Sequence, residues 1–92
     1  MAFEYDPAKS AANKGKHGID FEEAQALWSD RAAIEADAAL GSEPRFILIG
    51  RIVGRHWTAI CTHRGDHIRI ISVRRARKEE IRRYDRARDH IG

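Results

Sequence analysis

Residues that staple or break a backbone are scarce in this chain: one cysteine, Cys61, and two prolines among 92 residues. A lone thiol excludes an internal disulfide framework. No apolar run approaches the roughly 20 residues needed to cross a bilayer. The opening Met1-Ala2-Phe3-Glu4-Tyr5-Asp6 is not basic and leads into no apolar core, unlike a secretory signal. There is no internal repeat, low-complexity tract or glycine-rich phosphate loop, and no H-x-x-x-H or C-x-x-C pair. Cys61 and His63 share one strand face but supply only two ligands, so no metal and no cofactor is expected. The expectation is a cytoplasmic, soluble protein without membrane contact, folded as a single domain over residues 1–92.

What the chain does have is charge, unevenly placed. Residues 1–45 carry five Lys/Arg against nine Asp/Glu, a net of −4, and residues 46–92 carry twelve against five, a net of +7. Eleven of those twelve cations are arginine. The planar guanidinium fork matches pairs of phosphate oxygens, so the bias favours a nucleic-acid partner over a merely solvated face.

Asp6-Pro7 reads as an N-cap followed by proline in the first turn, and Gly18 as the stop of a helix over Ala8–Lys16. Phe3 and Tyr5 alternate around Glu4 as in a short strand. Asp20 and Glu23 have capping-box spacing, with Phe21, Ala24, Leu27 and Trp28 on one helical face. Residues 31–37 read as a strand and 40–44 as a loop. A three-stranded meander follows over 45–53, 57–63 and 67–74, with turns at Gly54-Arg55-His56 and Arg64-Gly65-Asp66. The third strand is expected to be central and covered on both sides. Arg77 to His90 closes the chain as a helix burying Ile81, Tyr84, Ala87 and Ile91. The expected fold class is α+β, an antiparallel sheet packed with two N-terminal helices and one C-terminal helix.

Plain alternation puts Arg69 and Arg75 with Ile71 and Val73 on one face of the third strand, and Ser72 and Arg74 with Ile68 and Ile70 on the other. An arginine within an apolar strand must send its head to water, an acid or a phosphate. Arg69 is therefore the most informative residue, either a structural partner of Glu35 or Asp37 or a phosphate contact. Glu79 and Glu80 suit the first turn of the last helix, with Glu79 facing Arg83. His17 and His63 are the candidates for proton transfer, because free imidazole titrates near neutrality.

Several blocks, in order along the chain, resemble BrnT-type toxins: Phe3-Glu4-Tyr5-Asp6-Pro7-Ala8-Lys9, Asn13, Lys16-His17-Gly18-Ile19, Phe21-Glu22-Glu23-Ala24, Arg45-Phe46-Ile47-Leu48-Ile49-Gly50, and Arg64-Gly65-Asp66-His67-Ile68-Arg69-Ile70-Ile71-Ser72-Val73-Arg74-Arg75-Ala76, then Glu79 and Tyr84. The chain departs from the family pattern at Cys61, where histidine is common, and at His63, where glutamate is. The resemblance implies a RelE-like fold and a metal-independent endoribonuclease that arrests translation. It also implies a BrnA-like ribbon-helix-helix antitoxin, in a complex of two toxins and two antitoxins that meets operator DNA through the antitoxin. The pattern carries over to Arg64, Arg69, Ser72, Arg74 and Arg75; with the two histidines, the candidate catalytic set is Arg64, Arg69, Arg74, His63 and His17, and the candidate RNA contacts are Arg45, Arg51, Ser72, Arg75 and Tyr84. The alternative is a non-catalytic basic domain that binds nucleic acid or an acidic protein.

Overall fold

The computed structural model describes residues 2–38 and 43–91, the last two by backbone alone. In chain order they form β1 (Ala2–Glu4), α1 (Pro7–His17), a 3₁₀ segment (Glu23–Ser29), β2 (Ile34–Ala38), β3 (Arg45–Ile52), β4 (Arg55–Arg64), β5 (His67–Arg75) and α2 (Lys78–Ile91). The fold is α+β, as expected, and the five strands read from the sequence join one sheet, in the order β1-β5-β4-β3-β2. It is also mixed, because β1 runs parallel to β5 while the other pairs are antiparallel. The middle strand is β4, so β5, expected at the centre, lies one place from the edge. Its parallel pairing with β1 needs a long crossover, which local turn signals cannot reveal.

Helix α1 starts as its sequence dictates. The Asp6 carboxylate accepts from the Ala8 N–H at 2.8 Å, and Gly18 ends the helix at φ +82°. The capping box also forms: Asp20 Oδ1 accepts from the Glu23 N–H at 2.7 Å and Glu23 Oε1 from the Asp20 N–H at 3.0 Å. What it opens is a 3₁₀ segment, not the α-helix expected, though Phe21, Ala24 and Leu27 are buried as the periodicity requires. The β3–β4 turn is Val53-Gly54 alone, one residue earlier than read, with both residues at positive φ. Two such residues match the right-handed twist of a tight hairpin. Of the loop expected at 40–44, positions 40–42 lie outside the described residues.

One face of the sheet is closed by α1, which packs on β5, and by the 3₁₀ segment, which packs on β3. Phe46, Leu48, Trp57, Ala59, Cys61, Ile68, Ile70 and Val73 meet Ile19, Phe21, Ala24 and Leu27 there. The buried Asn13 side chain fastens α1 to β5, donating to the carbonyls of Ile19 (2.8 Å) and Val73 (2.9 Å) and accepting from the Val73 N–H (3.2 Å). Helix α2 crosses one end of the opposite face, with Tyr84 buried. Ile81 and Ala87 are half-buried, and the Ile91 side chain lies outside the described residues.

Candidate nucleic-acid site

A bulge in β5 decides which side chains share the open face. Ile60 is opposite Ser72 but the next residue, Cys61, is opposite Ile70, so Ile71 is an extra residue with no partner on β4. One extra residue reverses the alternation beyond it. Val73 therefore points into the core with Ile68 and Ile70, all three buried. Arg69, Ser72 and Arg74 fall together on the other face, opposite Thr62, Ile60 and Thr58. Plain alternation had split this set, so the expected faces are corrected: Arg75 joins the core-side row and Arg74 leaves it. Arg75 lies over the Trp57 ring at 5.4 Å, a cation–π contact at the sheet end.

Across the open face, Arg69 has Glu4 of β1 on one side and Thr62 of β4 on the other. Arg45 and Thr62 are each the next residue beyond the Phe46–Cys61 pair. One row across the sheet thus reads Glu4, Arg69, Thr62, Arg45, with Arg64 two residues beyond Thr62 on the same face. The row beside it, Ser72, Ile60 and Ile47, is half-buried. Arg69 meets Glu4 at a long 3.5 Å, not Glu35 or Asp37, which are three strands away. Arg64 is 3.7 Å from Glu43 and half exposed. Both contacts are loose enough for a phosphate to replace them.

Arg74 is held differently. Its two terminal nitrogens donate to the two Glu80 carboxylate oxygens at 2.8 and 2.9 Å, and Glu80 also accepts from the Thr58 hydroxyl and the Arg77 N–H. Burial opposes ionisation of Glu80, but these donors outweigh it and draw its carboxyl down to about 2. Glu79 pairs with Arg82 rather than Arg83, at 3.3 Å. The Tyr84 hydroxyl donates to Asp30 Oδ2 at 2.8 Å, and Asp30 also accepts from the N–H groups of Ala32 and Arg51. Burial opposes the Asp30 charge too, yet those hydrogen bonds leave its carboxyl below the ordinary value. Burial and the bond to Asp30 push the Tyr84 phenol up. Tyr84 is 2% exposed, so it fastens α2 and presents almost no surface to a ligand.

The two histidines stand apart from the arginine row. His17 ends α1 on the helix-covered side of the sheet. His63 is exposed at the core-side rim, stacked on Phe46 with ring centroids 4.5 Å apart. Cys61 is fully buried, and burial, with the Glu35 charge, pushes its thiol up to about 12, so it is neither nucleophile nor ready ligand. Among the described residues no three His, Cys, Asp or Glu side chains converge as a metal site, and no helix is long and apolar enough to cross a membrane.

An open basic face on a small mixed sheet suits a phosphodiester backbone, and known families bear on it directly. No curated protein matches the chain. The family model for the ribonuclease toxin BrnT of type II toxin–antitoxin systems matches residues 5–80, from the residue after β1 to the Glu80 ion pair. The chain therefore belongs to the BrnT family of type II toxin–antitoxin ribonuclease toxins.

Proposed function

We propose that this protein is a metal-independent endoribonuclease that arrests translation by cutting RNA laid across the open face of the sheet. The row of Arg69, Thr62 and Arg45, with Arg64 on the same face, carries this reading, and the bulge at Ile71 adds Ser72 to that face. RNA can be cut without a metal when its own 2′-hydroxyl attacks the neighbouring phosphorus. The protein then has to align the strand, neutralise the extra charge on phosphorus and move two protons. Arg69 and Arg64 would exchange their loose carboxylate partners for phosphate oxygens, with Ser72 donating beside them. Arginine stays protonated and cannot be the base, so groups outside the arginine row have to move the protons. We assign the architecture to the RelE-like group and the site of action to the cytoplasm.

A type II toxin has an antitoxin partner. We infer a ribbon-helix-helix protein whose acidic segment covers Arg64 and the Arg82–Arg86 side of α2, assembled as two toxins with two antitoxins that meet operator DNA through the antitoxin. The deciding experiment incubates purified protein with RNA in EDTA. Cleavage leaving 2′,3′-cyclic phosphate ends is expected. Binding without cleavage would make the protein a nucleic-acid-binding module instead.

A further inference from the structure

Where the last residues of β2 and β4 lie beside the first of β3, a cleft of about 110 Å³ is lined by Glu35, Asp37, Pro44, Arg45, Phe46 and His63. Its floor is Phe46, which is 4% exposed and fixed in the core. Asp37 is in register with Phe46, and Glu35, two residues earlier, projects to the same side. The His63 ring lies on the Phe46 ring at an interplanar angle of 22°. Two carboxylates and an imidazole therefore stand around one aromatic floor, all three exposed to solvent. Arg45 forms the remaining wall, its Nε buried without a hydrogen-bond partner. Among the described residues no carboxylate closes an ion pair on it.

The cleft holds what the arginine row lacks. A row of guanidinium groups can orient and neutralise a phosphate, but it cannot accept a proton. Arg45 belongs to both places, ending the row that contains Arg69 and walling the cleft that contains His63. The row and the cleft open on opposite faces of the sheet, and Arg45, the first residue of β3, is where they meet.

Building on the ribonuclease reading above, we propose that this cleft is where the protons of RNA cleavage move, with the Glu35/Asp37 pair as general base and His63 as general acid. The 2′-hydroxyl gives its proton to a carboxylate of the pair as the O2′–P bond forms. The P–O5′ bond breaks as the His63 imidazolium gives its proton to the departing 5′-oxygen. The products are a 2′,3′-cyclic phosphate and a 5′-hydroxyl, and exchange with water restores both groups. Nothing is oxidised or reduced, and no co-reactant enters. His17, beside Gly18 near the β3–β4 turn and at the opposite end of β4 from His63, takes no part.

Cleavage of a short oligoribonucleotide under single-turnover conditions in EDTA, followed from about pH 4 to pH 9, tests the assignment. His63→Gln and the double variant Glu35→Gln/Asp37→Asn alter exposed side chains, and thermal unfolding checks that each remains folded. Each is expected to cut at least about 100-fold more slowly than the parent chain. The pH–rate profile of the parent should be bell-shaped. His63→Gln should lose its alkaline limb and the carboxylate variant its acidic limb. If the parent cuts while both variants cut within threefold of it and keep its pH profile, the assignment is overturned, and the two acids serve only to guard the edge strand. If the parent leaves RNA intact, the ribonuclease reading itself falls and takes this inference with it.

Discussion

Arg74 and Glu80 close a two-pronged ion pair, at 2.8 and 2.9 Å, that ties β5 to the first turn of α2. The Arg74 side chain is 20% exposed and that of Glu80 11%, so the pair is largely withdrawn from water. A guanidinium whose fork is already filled is a fastening, whereas Arg69 and Arg64 have only long single contacts. The same residue type thus has two jobs within six positions of one strand.

Arg74→Ala is expected to destabilise the fold by about 2–4 kcal/mol, because it leaves the buried Glu80 charge without its main partner. For a domain of this size that is a fall in Tm of roughly 10–20 °C, read by thermal unfolding at pH 7. The pH dependence has a definite sign. Glu80 titrates at about 2 in the folded chain against 4.5 ordinarily, so its contribution is complete above about pH 5 and is lost as pH falls toward 2. Stability of the parent chain should drop steeply over that interval, and Glu80→Gln, weaker at neutral pH, should flatten the drop. A parallel decline in both proteins would remove Glu80 as the cause.

Arg69→Ala should behave in the opposite manner. Its 3.5 Å contact with Glu4 is partly exposed on both sides, so losing it should cost under about 1 kcal/mol. RNA cleavage should nevertheless fall by about one to three orders of magnitude, if Arg69 neutralises charge on phosphorus. Unchanged cleavage by a protein of unchanged stability would show Arg69 to be a bystander.

Tyr84→Phe removes the hydroxyl that donates to Asp30 while keeping the buried ring. A loss of about 1–2 kcal/mol is expected, since an Asp30 carboxylate oxygen is left with one fewer donor. Asp30→Asn disturbs the N–H groups of Ala32 and Arg51 as well and should cost more. Denaturant unfolding of the two variants side by side gives the order, and the reverse order would show that the Tyr84 contact dominates the cluster.

Association with the antitoxin should slow as salt rises, because exposed charges are screened over roughly 8–10 Å at physiological ionic strength. Arg82→Glu/Arg86→Glu should reduce the association rate and flatten its salt dependence, with a smaller effect on dissociation. Stopped-flow mixing across a salt series measures both. An association rate indifferent to salt and to the charge reversal would leave this side of α2 without a part in the complex.

Much was legible in the sequence because much of it is local. The cap at Asp6, the stop at Gly18 and the Asp20–Glu23 box satisfy backbone groups within a few residues of themselves, so spacing alone identifies them. The period of Phe21, Ala24 and Leu27 marked a buried face whether the segment became an α-helix or a 3₁₀ turn. The +7 excess of residues 46–92 favours a nucleic-acid partner, and the ordered blocks mark the BrnT family, both without any geometry.

Tertiary structure decided what depends on residues far apart in the chain. Nothing near Ile71 announces a bulge. Two residues beyond it, the Asn13 side chain, sixty residues away in sequence, holds both the N–H and the carbonyl of Val73. That one extra residue settles which arginines share a face. From the sequence, Arg69 has either Glu35 or Asp37 or a phosphate open to it; the strand order puts two strands between β2 and β5 and sets these acids beside His63. Composition and local spacing determined that this chain would be a small basic α+β domain of a recognisable kind. Which side chains meet was left to long-range strand pairing, because register is set by cross-strand contacts that no short window of sequence contains.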